Sequence, residues 1–363
     1  MPQAAPRSRA GPIGLAAFVI VSIALLVAFA PAWRGGAAER RLDISRPLPD
    51  HVPPGTVLRV GDPVSQWVFQ HEGWDKKLPF RIEWAQITGG PDVTEALHAG
   101  ALDVGLGASV PPIHATWTGI PVRIVGFRDY PDPERRQAFI FGIAPKANIR
   151  TIADFRGKRI AFSPSQVQAV VVLQTLKAAG LKPSDVTLIE LPSSIGGDVY
   201  TNALASNEVD VAPLGAGIVA ERYIRKFGRD GARLIKHPPF RDDALFAYVP
   251  ESALADPAKA AALKIFVAYW GRAQAWINRH PEELAAGYYR QHQGLPIADG
   301  RLIVAATTGN LDVPADWSRA RNVEQAAIDL LGPQTGRPRL NAADLFDPRF
   351  QTIAADGVKG HSS

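Results

Sequence analysis

Apolar residues recur along this chain in two rhythms, and the points where one gives way to the other predict its elements. Val57 to Gly61 is a short β-branched run ending in glycine, which predicts a strand feeding the loop Asp62-Pro63-Val64-Ser65. Phe80 to Ile87 alternates with the two-residue period of a second strand. Gly89-Gly90-Pro91 then opens a helix in which Val93, Ala96 and Leu97 share a face, and Gly100 supplies its stop. Leu102 to Leu106 resumes as a strand. Strands alternating with single helices are βαβ units, whose right-handed crossovers build a largely parallel sheet. Phe139 to Ile143 and Ala244 to Val249 are further apolar, β-rich runs, expected to be crossover strands. From Pro257 onward Ala262, Ile265, Phe266, Tyr269 and Ala273 recur at helical spacing, and Pro281 with two acidic residues marks the next helix start.

Part of this pattern occurs twice. Residues 89–104 lie without a gap on residues 196–211, with seven of sixteen positions identical, among them the paired Gly-Gly, Ala-Leu and Asp-Val. A shorter echo precedes each copy: Arg59-Val60 with Ser65-Gln66, and Arg159-Ile160 with Ser165-Gln166. Two lobes of similar construction are implied. The length of 363 residues fits two cores of ordinary size.

Composition then narrows the chemistry. The chain has no cysteine, which excludes disulfides, thiol catalysis, iron–sulfur clusters and cysteine-ligated zinc. The net charge of +5 weakens when divided, since residues 1–38 hold Arg7, Arg9 and Arg34 and no acid, leaving 37 basic against 35 acidic side chains elsewhere. No concentrated basic face is left for nucleic acid. Ile13 to Ala30 is almost continuously apolar behind two arginines, the form of an export signal or of an uncleaved membrane anchor, with small residues at Gly36-Ala37-Ala38. Either way the body is expected outside the cytoplasm, periplasmic in a two-membrane cell. The prolines of residues 39–55 read as an extended linker.

In open α/β sheets ligands lie beyond the carboxyl ends of strands, where loops lead into helices. The junctions of this kind hold Ser65-Gln66 with Trp67, Gly107 with Ser109 and Pro111-Pro112, Ser163 with Ser165-Gln166, and Ser193 to Gly197 including Gly196. Each sets a hydroxyl or bare glycine backbone beside unpaired helix N–H groups, which favour an oxyanion. The expectation is a groove that grips negative charge with main-chain amides and hydroxyls instead of lysine or arginine. The eight histidines are scattered without metal-ligand spacing, and neither a metal site nor a cofactor is read from the residues.

The run Gly89 to Gly107 with Pro111-Pro112, the segment Thr151 to Ala161, and Ala275-Trp276-Ile277-Asn278-Arg279-His280-Pro281-Glu282-Glu283 resemble the solute-binding proteins of ABC importers for aliphatic sulfonates, taurine and nitrate. The resemblance implies an α/β, two-lobed periplasmic binding protein fold of type II: each lobe a mixed, mostly parallel sheet flanked by helices, joined by two crossover strands. It implies a monomer that is not an enzyme, captures a small anionic or organosulfur ligand, and delivers it to an inner-membrane ABC permease. It carries the ligand contacts to Ser65, Gln66, Ser109, Ser165 and Gln166. Val211-Ala212-Pro213-Leu214-Gly215 departs from the aromatic stretch of sulfonate binders, and Leu214 stands there as a candidate contact. The expected division is 1–38 for the export segment, 39–55 for the linker, 56–140 plus 241–350 for lobe one, 141–240 for lobe two, and 351–363 for a flexible tail. Two other classes fit the same scaffold: a membrane-tethered ligand sensor, and an enzyme resembling thiamine-pyrimidine synthases, whose cysteine-rich motif is missing here.

Overall fold

The computed structural model describes residues 42–87, 89–131, 137–192, 198–308 and 311–360. The strand–helix rhythm is realised twice. The first round is β1 (Val57–Gly61), α1 (Pro63–His71), β2 (Arg81–Trp84), α2 (Gly90–His98), β3 (Val104–Ala108), α3 (Pro111–Trp117) and β4 (Val122–Arg128). After β5 (Phe139–Ile143) comes the second: β6 (Arg159–Phe162), α4 (Val167–Ala178), β7 (Thr187–Glu190), α5 (Asp198–Ala205), β8 (Val211–Gly215), α6 (Ile218–Phe227) and β9 (Arg233–Ile235). The chain returns in β10 (Leu245–Pro250).

Two five-stranded sheets result, ordered β2-β1-β3-β10-β4 and β7-β6-β8-β5-β9. β1 is parallel to β2 and β3, as β6 is to β7 and β8. β10 runs antiparallel between β3 and β4, and β5 antiparallel between β8 and β9. Each sheet thus takes as its one reversed strand the first strand laid down after the chain changes sheets. Because β5 pairs wholly within the second sheet, that sheet begins before residue 140. The inner strands are buried on both faces and read as apolar runs, while β2 is half-exposed and alternates, as expected of an edge.

The sequence repeat has a physical basis. In the first copy the Arg59 N–H and Nε donate to Asp103 Oδ2 (2.9 and 3.2 Å), and Asp103 N–H donates back to the Arg59 carbonyl (2.8 Å). In the second, Arg159 and Asp210 make the same three bonds at 2.8, 3.2 and 2.8 Å. One carboxylate per lobe therefore ties the start of a parallel strand to the loop leaving the Gly-Gly helix. Gly100 and Asn207, at matching positions in the two copies, both adopt positive φ (65° and 58°), the left-handed stop that glycine and asparagine tolerate best. Asp103 is buried and also receives Lys259 Nζ at 2.7 Å. Burial raises its proton affinity, but the bonds from Arg59 and Lys259 outweigh this and hold its carboxyl below the usual range. Its stabilisation is therefore complete above the unfolded carboxyl pKa of about 4 and is lost as the pH falls through the lower folded value. D103N is expected to lower stability at neutral pH by about 2 kcal/mol and to converge on wild type in acid. Denaturant unfolding of both proteins from pH 7 to pH 2 tests this, and a gap that stays constant would refute it.

The carboxyl-terminal helices pack back on the first sheet. α7 (Glu251–Ala255) leads into α8 (Pro257–Arg279), which buries Phe266, Trp270 and Trp276. The helix expected at Pro281 is a π-helix over Leu284–His292, followed by α9 (Ile297–Thr307), α10 (Ser318–Thr335) and α11 (Ile353–Val358). Two expectations are corrected here. Residues 351–360 are not a loose tail: Ile353, Ala354, Ala355 and Gly357 are buried, and Gly271 and Gly357 let the backbones of α8 and α11 approach where any Cβ would collide with a carbonyl. Residues 42–55 have no regular element, but Val52 is buried, Lys264 meets Asp50 at 2.7 Å, and Arg349 donates to the Arg46 carbonyl, so this stretch is fastened to the body. Among the described residues no helix is long and apolar enough to cross a membrane; the apolar segment Ile13 to Ala30 lies outside them.

The two passages between the sheets are bound together by charge. Asp129, fully buried just after β4, accepts two bonds from Arg319 (both 2.7 Å) and one from Arg241 (2.8 Å). Arg241 also reaches the Tyr130 carbonyl, and Tyr130 N–H donates to Asp243. On the other strand of the passage, Asp242 accepts from the N–H groups of Ala138 and Phe139 (3.1 and 2.8 Å) and lies 2.9 Å from the His237 ring. Residues on both passages are thus fixed to one another rather than only to their own sheets.

Candidate functional site

A cleft of about 350 Å³ lies between the two sheets, at the carboxyl ends of β1, β3 and β4. Gly61 to Ser65, Gly89-Gly90, Leu106 to Ala108 and Arg128 line it from the first lobe, and Phe139 with Gln166 to Gln168 from the second. Gln274 and Ile277 of α8, Leu284 and Tyr289 of the π-helix, and Thr307-Thr308 complete the wall. A volume of this size suits a small organic molecule.

Among the described residues, α1, α2 and α4 begin at the cleft. At α1 the cap is Asp62, whose Oδ1 accepts from the Ser65 N–H (3.0 Å), so Ser65 is not itself the cap; its buried Oγ lies near the same carboxyl without a well-formed hydrogen bond among the described residues. At α2 and α4 the capping positions are Gly89 and Gln166, and neither carries a side-chain cap. The opening amides of α2 and α4 remain available to an anion. Gly90 is needed for this approach, since a Cβ there would lie 2.7 Å from Pro111 Cγ and within the Gln166 amide of the opposite lobe. The Gln166 Nε2 and Gln168 Oε1 are buried and unpartnered as well.

Arg128 ends β4 and presents a guanidinium to the cleft, its Nε buried and without a hydrogen-bond partner. This corrects the expectation of a groove that dispenses with arginine: amides and hydroxyls surround a cation instead of replacing it. A buried donor left unpaired costs about 1–3 kcal/mol, more when charged, and a ligand can recover that cost. Asp62 faces the same space, and burial pushes its carboxyl above the usual range, against the opposing pull of the Ser65 hydroxyl and N–H, the Arg128 charge and the Trp270 indole N–H. Its Oδ2 has no well-formed hydrogen bond among the described residues. Burial first, then the neighbouring Tyr288, pushes the Tyr289 hydroxyl up to about 12, so it remains a neutral donor. The π-helix that carries Tyr289 is a rare conformation found disproportionately at functional sites.

Of the residues singled out from sequence, Ser65, Gly107 and Gln166 line the cleft. Gln66 points away and accepts from Gln86 Nε2 (2.6 Å). Trp67 is an aromatic-core residue, stacked on His71 (4.7 Å) and edge-on to Trp276 (5.7 Å). Ser109 lines a neighbouring cavity, Ser165 lines a shallow groove beside His98 and His114, and Ser163 is buried beside Tyr200. Leu214 fills the core of the second lobe, where it packs over Gly142. Gly196 lies outside the described residues. The placement of the serines and of Trp67 away from the cleft has a common reason: a side chain near a junction follows the twist of its own helix, and only one side of each helix start faces the gap.

Residues 68–232 match the model of the NMT1/THI5 like family. A protein of Escherichia coli (strain K12) named for binding aliphatic sulfonates is 32% identical over 117 residues, covering 32% of this chain. The chain spans only 35% of that relative's length in the alignment. Among solved structures, the alkanesulfonate-binding protein SsuA from Xanthomonas axonopodis pv. citri bound to MOPS superposes with a TM-score of 0.67 at 22% identity, over 81% of this chain and 99% of that one. The periplasmic aliphatic sulphonate binding protein SsuA from Escherichia coli gives 0.64 at 21% identity, over 80% and 91%. The fold is therefore the two-lobed one of these periplasmic binding proteins.

Proposed function

We propose that this chain is an extracytoplasmic solute-binding protein that captures a small organic sulfonate between its lobes and hands it to an ABC permease. The observation that carries this is the half-buried Arg128 guanidinium, whose Nε has no hydrogen-bond partner among the described residues, in a cleft whose other walls include two uncapped helix starts. A sulfonate offers three oxygens, enough to meet a guanidinium and the helix amides together. The apolar wall of Val64, Leu106, Phe139, Leu245 and Ile277 suits the carbon chain that follows, and Asp62 Oδ2 meets a donor at its far end. The named relatives support the same ligand class. The apolar segment near the amino terminus supports export.

Because lining residues come from both lobes, the ligand favours the closed arrangement by its differential affinity for it. The Arg222–Asp299 pair at 2.7 Å, joining α6 to α9, and the seating of Gly217 against Ala306 hold the closed arrangement on a second side. Thermal unfolding with taurine, ethanesulfonate, MOPS and nitrate is the direct test. Ligand at one hundred times its Kd is expected to add about 2.7 kcal/mol and raise the midpoint accordingly. No shift with any sulfonate would remove the proposed ligand class, and a shift with nitrate alone would replace it by an inorganic anion.

A further inference from the structure

α10 carries one carboxyl group that the cleft does not use. Glu324 is fully buried, and neither of its oxygens has a well-formed hydrogen bond. The donors that face it are the Ser109 hydroxyl, itself buried and otherwise unpartnered, and the N–H of Val110. Val110 holds φ at 92°, a left-handed conformation that costs a β-branched residue on the order of 1–3 kcal/mol and persists only where its surroundings enforce it. This turn continues directly from Gly107 and Ala108, which line the cleft, into Pro111, which packs against Gly90 and Gly107. On its other side Ser109 opens on a separate cavity of about 360 Å³, whose walls are Ser318, Asn322 and Val323 from α10 and Val167, Val170 and Gln174 from α4 of the opposite lobe.

We propose that Glu324 is a positioning residue for the cleft: its neutral carboxyl, wedged beneath the Ser109–Val110 turn, holds the cleft wall in its closed geometry, so that lobe closure takes up a proton. The inference rests on the reading of the cleft as a ligand site closed by lobe movement. Glu324 does not itself line the cavity, but the Ser109 hydroxyl that covers it does; withdrawal of α4 on opening exposes Ser109 to water and loosens the cover over the carboxyl, where the ionised form is then better tolerated. Closure dries the site again. In the closed arrangement burial pushes the carboxyl up to about 8, against the weaker pull of Ser109 and Val110.

No charged neighbour is among the causes of that shift. On α10 itself Arg319 is committed to Asp129, Asp329 to Arg339, and Arg321 stands three positions before Glu324. Of the elements packed on α10, α4 contributes the exposed Lys177, α3 contributes His114, held below its usual range by burial and by Arg337, and the turn Ala342–Leu345 contributes Asp344. Arg241 lines the shared cavity and is bound to Asp129.

The test is calorimetric titration of the full chain with ethanesulfonate, whose charge is constant between pH 6 and pH 9, in buffers of different ionisation heat. Wild type is expected to bind about tenfold more weakly at pH 9 than at pH 6, the loss that one unit of pKa difference between open and closed forms produces, and to take up protons on binding near pH 7.5. E324Q, isosteric and never charged, is expected to keep the pH 6 affinity across the range and to take up none. An affinity of wild type that is flat with pH, or an E324Q profile that parallels it, overturns the proposal. Should ethanesulfonate bind neither protein at any pH, the sulfonate reading fails, and unfolding of the ligand-free proteins decides for Glu324. Wild type should then lose stability relative to E324Q as the pH rises from 5 to 8, whereas parallel curves count against it.

Discussion

Replacing Arg128 by methionine is expected to abolish sulfonate capture while leaving the fold intact. The guanidinium is the cation of the cleft wall whose Nε has no hydrogen-bond partner, so a bound anion would supply what the protein withholds. Charge-assisted, partly buried contacts of this kind are worth about 2–4 kcal/mol to binding, a thirtyfold to thousandfold loss in affinity. Stability should change little, because R128M removes a half-buried charge whose Nε is unpaired and replaces it with an apolar chain of similar length, at the cost only of its through-space attraction to Asp62. Arg128→Lys keeps the charge without the planar fork and should recover only part of the affinity. The combination to look for, by calorimetry and denaturant unfolding, is lost binding with retained stability. R128M that binds as well as wild type would show that the anion sits elsewhere.

Asp129, the next residue, is expected to behave in the opposite way. D129A leaves Arg241 and Arg319 facing each other beside both passages between the lobes without the carboxylate that reconciles them. Removing one member of a buried charged network costs about 3–5 kcal/mol, far more than the intact network contributes over an apolar substitute. Denaturant unfolding of D129A should show this loss, and a change below about 1 kcal/mol would mean that the passages are held by packing alone. The contrast between adjacent residues follows from pairing: Asp129 completes a protein network, whereas Arg128 awaits a ligand.

How much of this was readable in the chain differs between scaffold and site. The period-two and period-3.6 runs placed β1, α2 and α8, and the repeat of residues 89–104 at 196–211 announced two sheets of the same order, because each carries its own Arg–Asp clamp. The π-helix was not legible: Pro281 and its two acids open any helix, and nothing local distinguishes a helix that will widen. Of the serines at these junctions Ser65 lines the cleft and Ser165 lines a groove elsewhere, since the strand-end rule selects a junction and not the side of it that a side chain takes. Arg128 was within reach of that rule. It ends the apolar strand Val122–Arg128, whose carboxyl end lies at the same edge as that of β3, but it brings neither a hydroxyl nor a glycine to mark that junction. Glu324 had no such signal, because an acidic residue within a helix rich in polar positions reads as a solvated one until the packing is known.

Ligand capture as proposed requires an anion held by Arg128 between the starts of α2 and α4. A crystal structure grown with an alkanesulfonate and recorded at a wavelength that reveals sulfur measures this directly, since the chain has no cysteine and a single methionine, and the ligand sulfur would be nearly alone in the map. The sulfur is predicted within about 4 Å of the Arg128 guanidinium, in contact with the opening amides of both helices. Sulfur density on the outer surface, or in the cleft but turned away from Arg128, would contradict it.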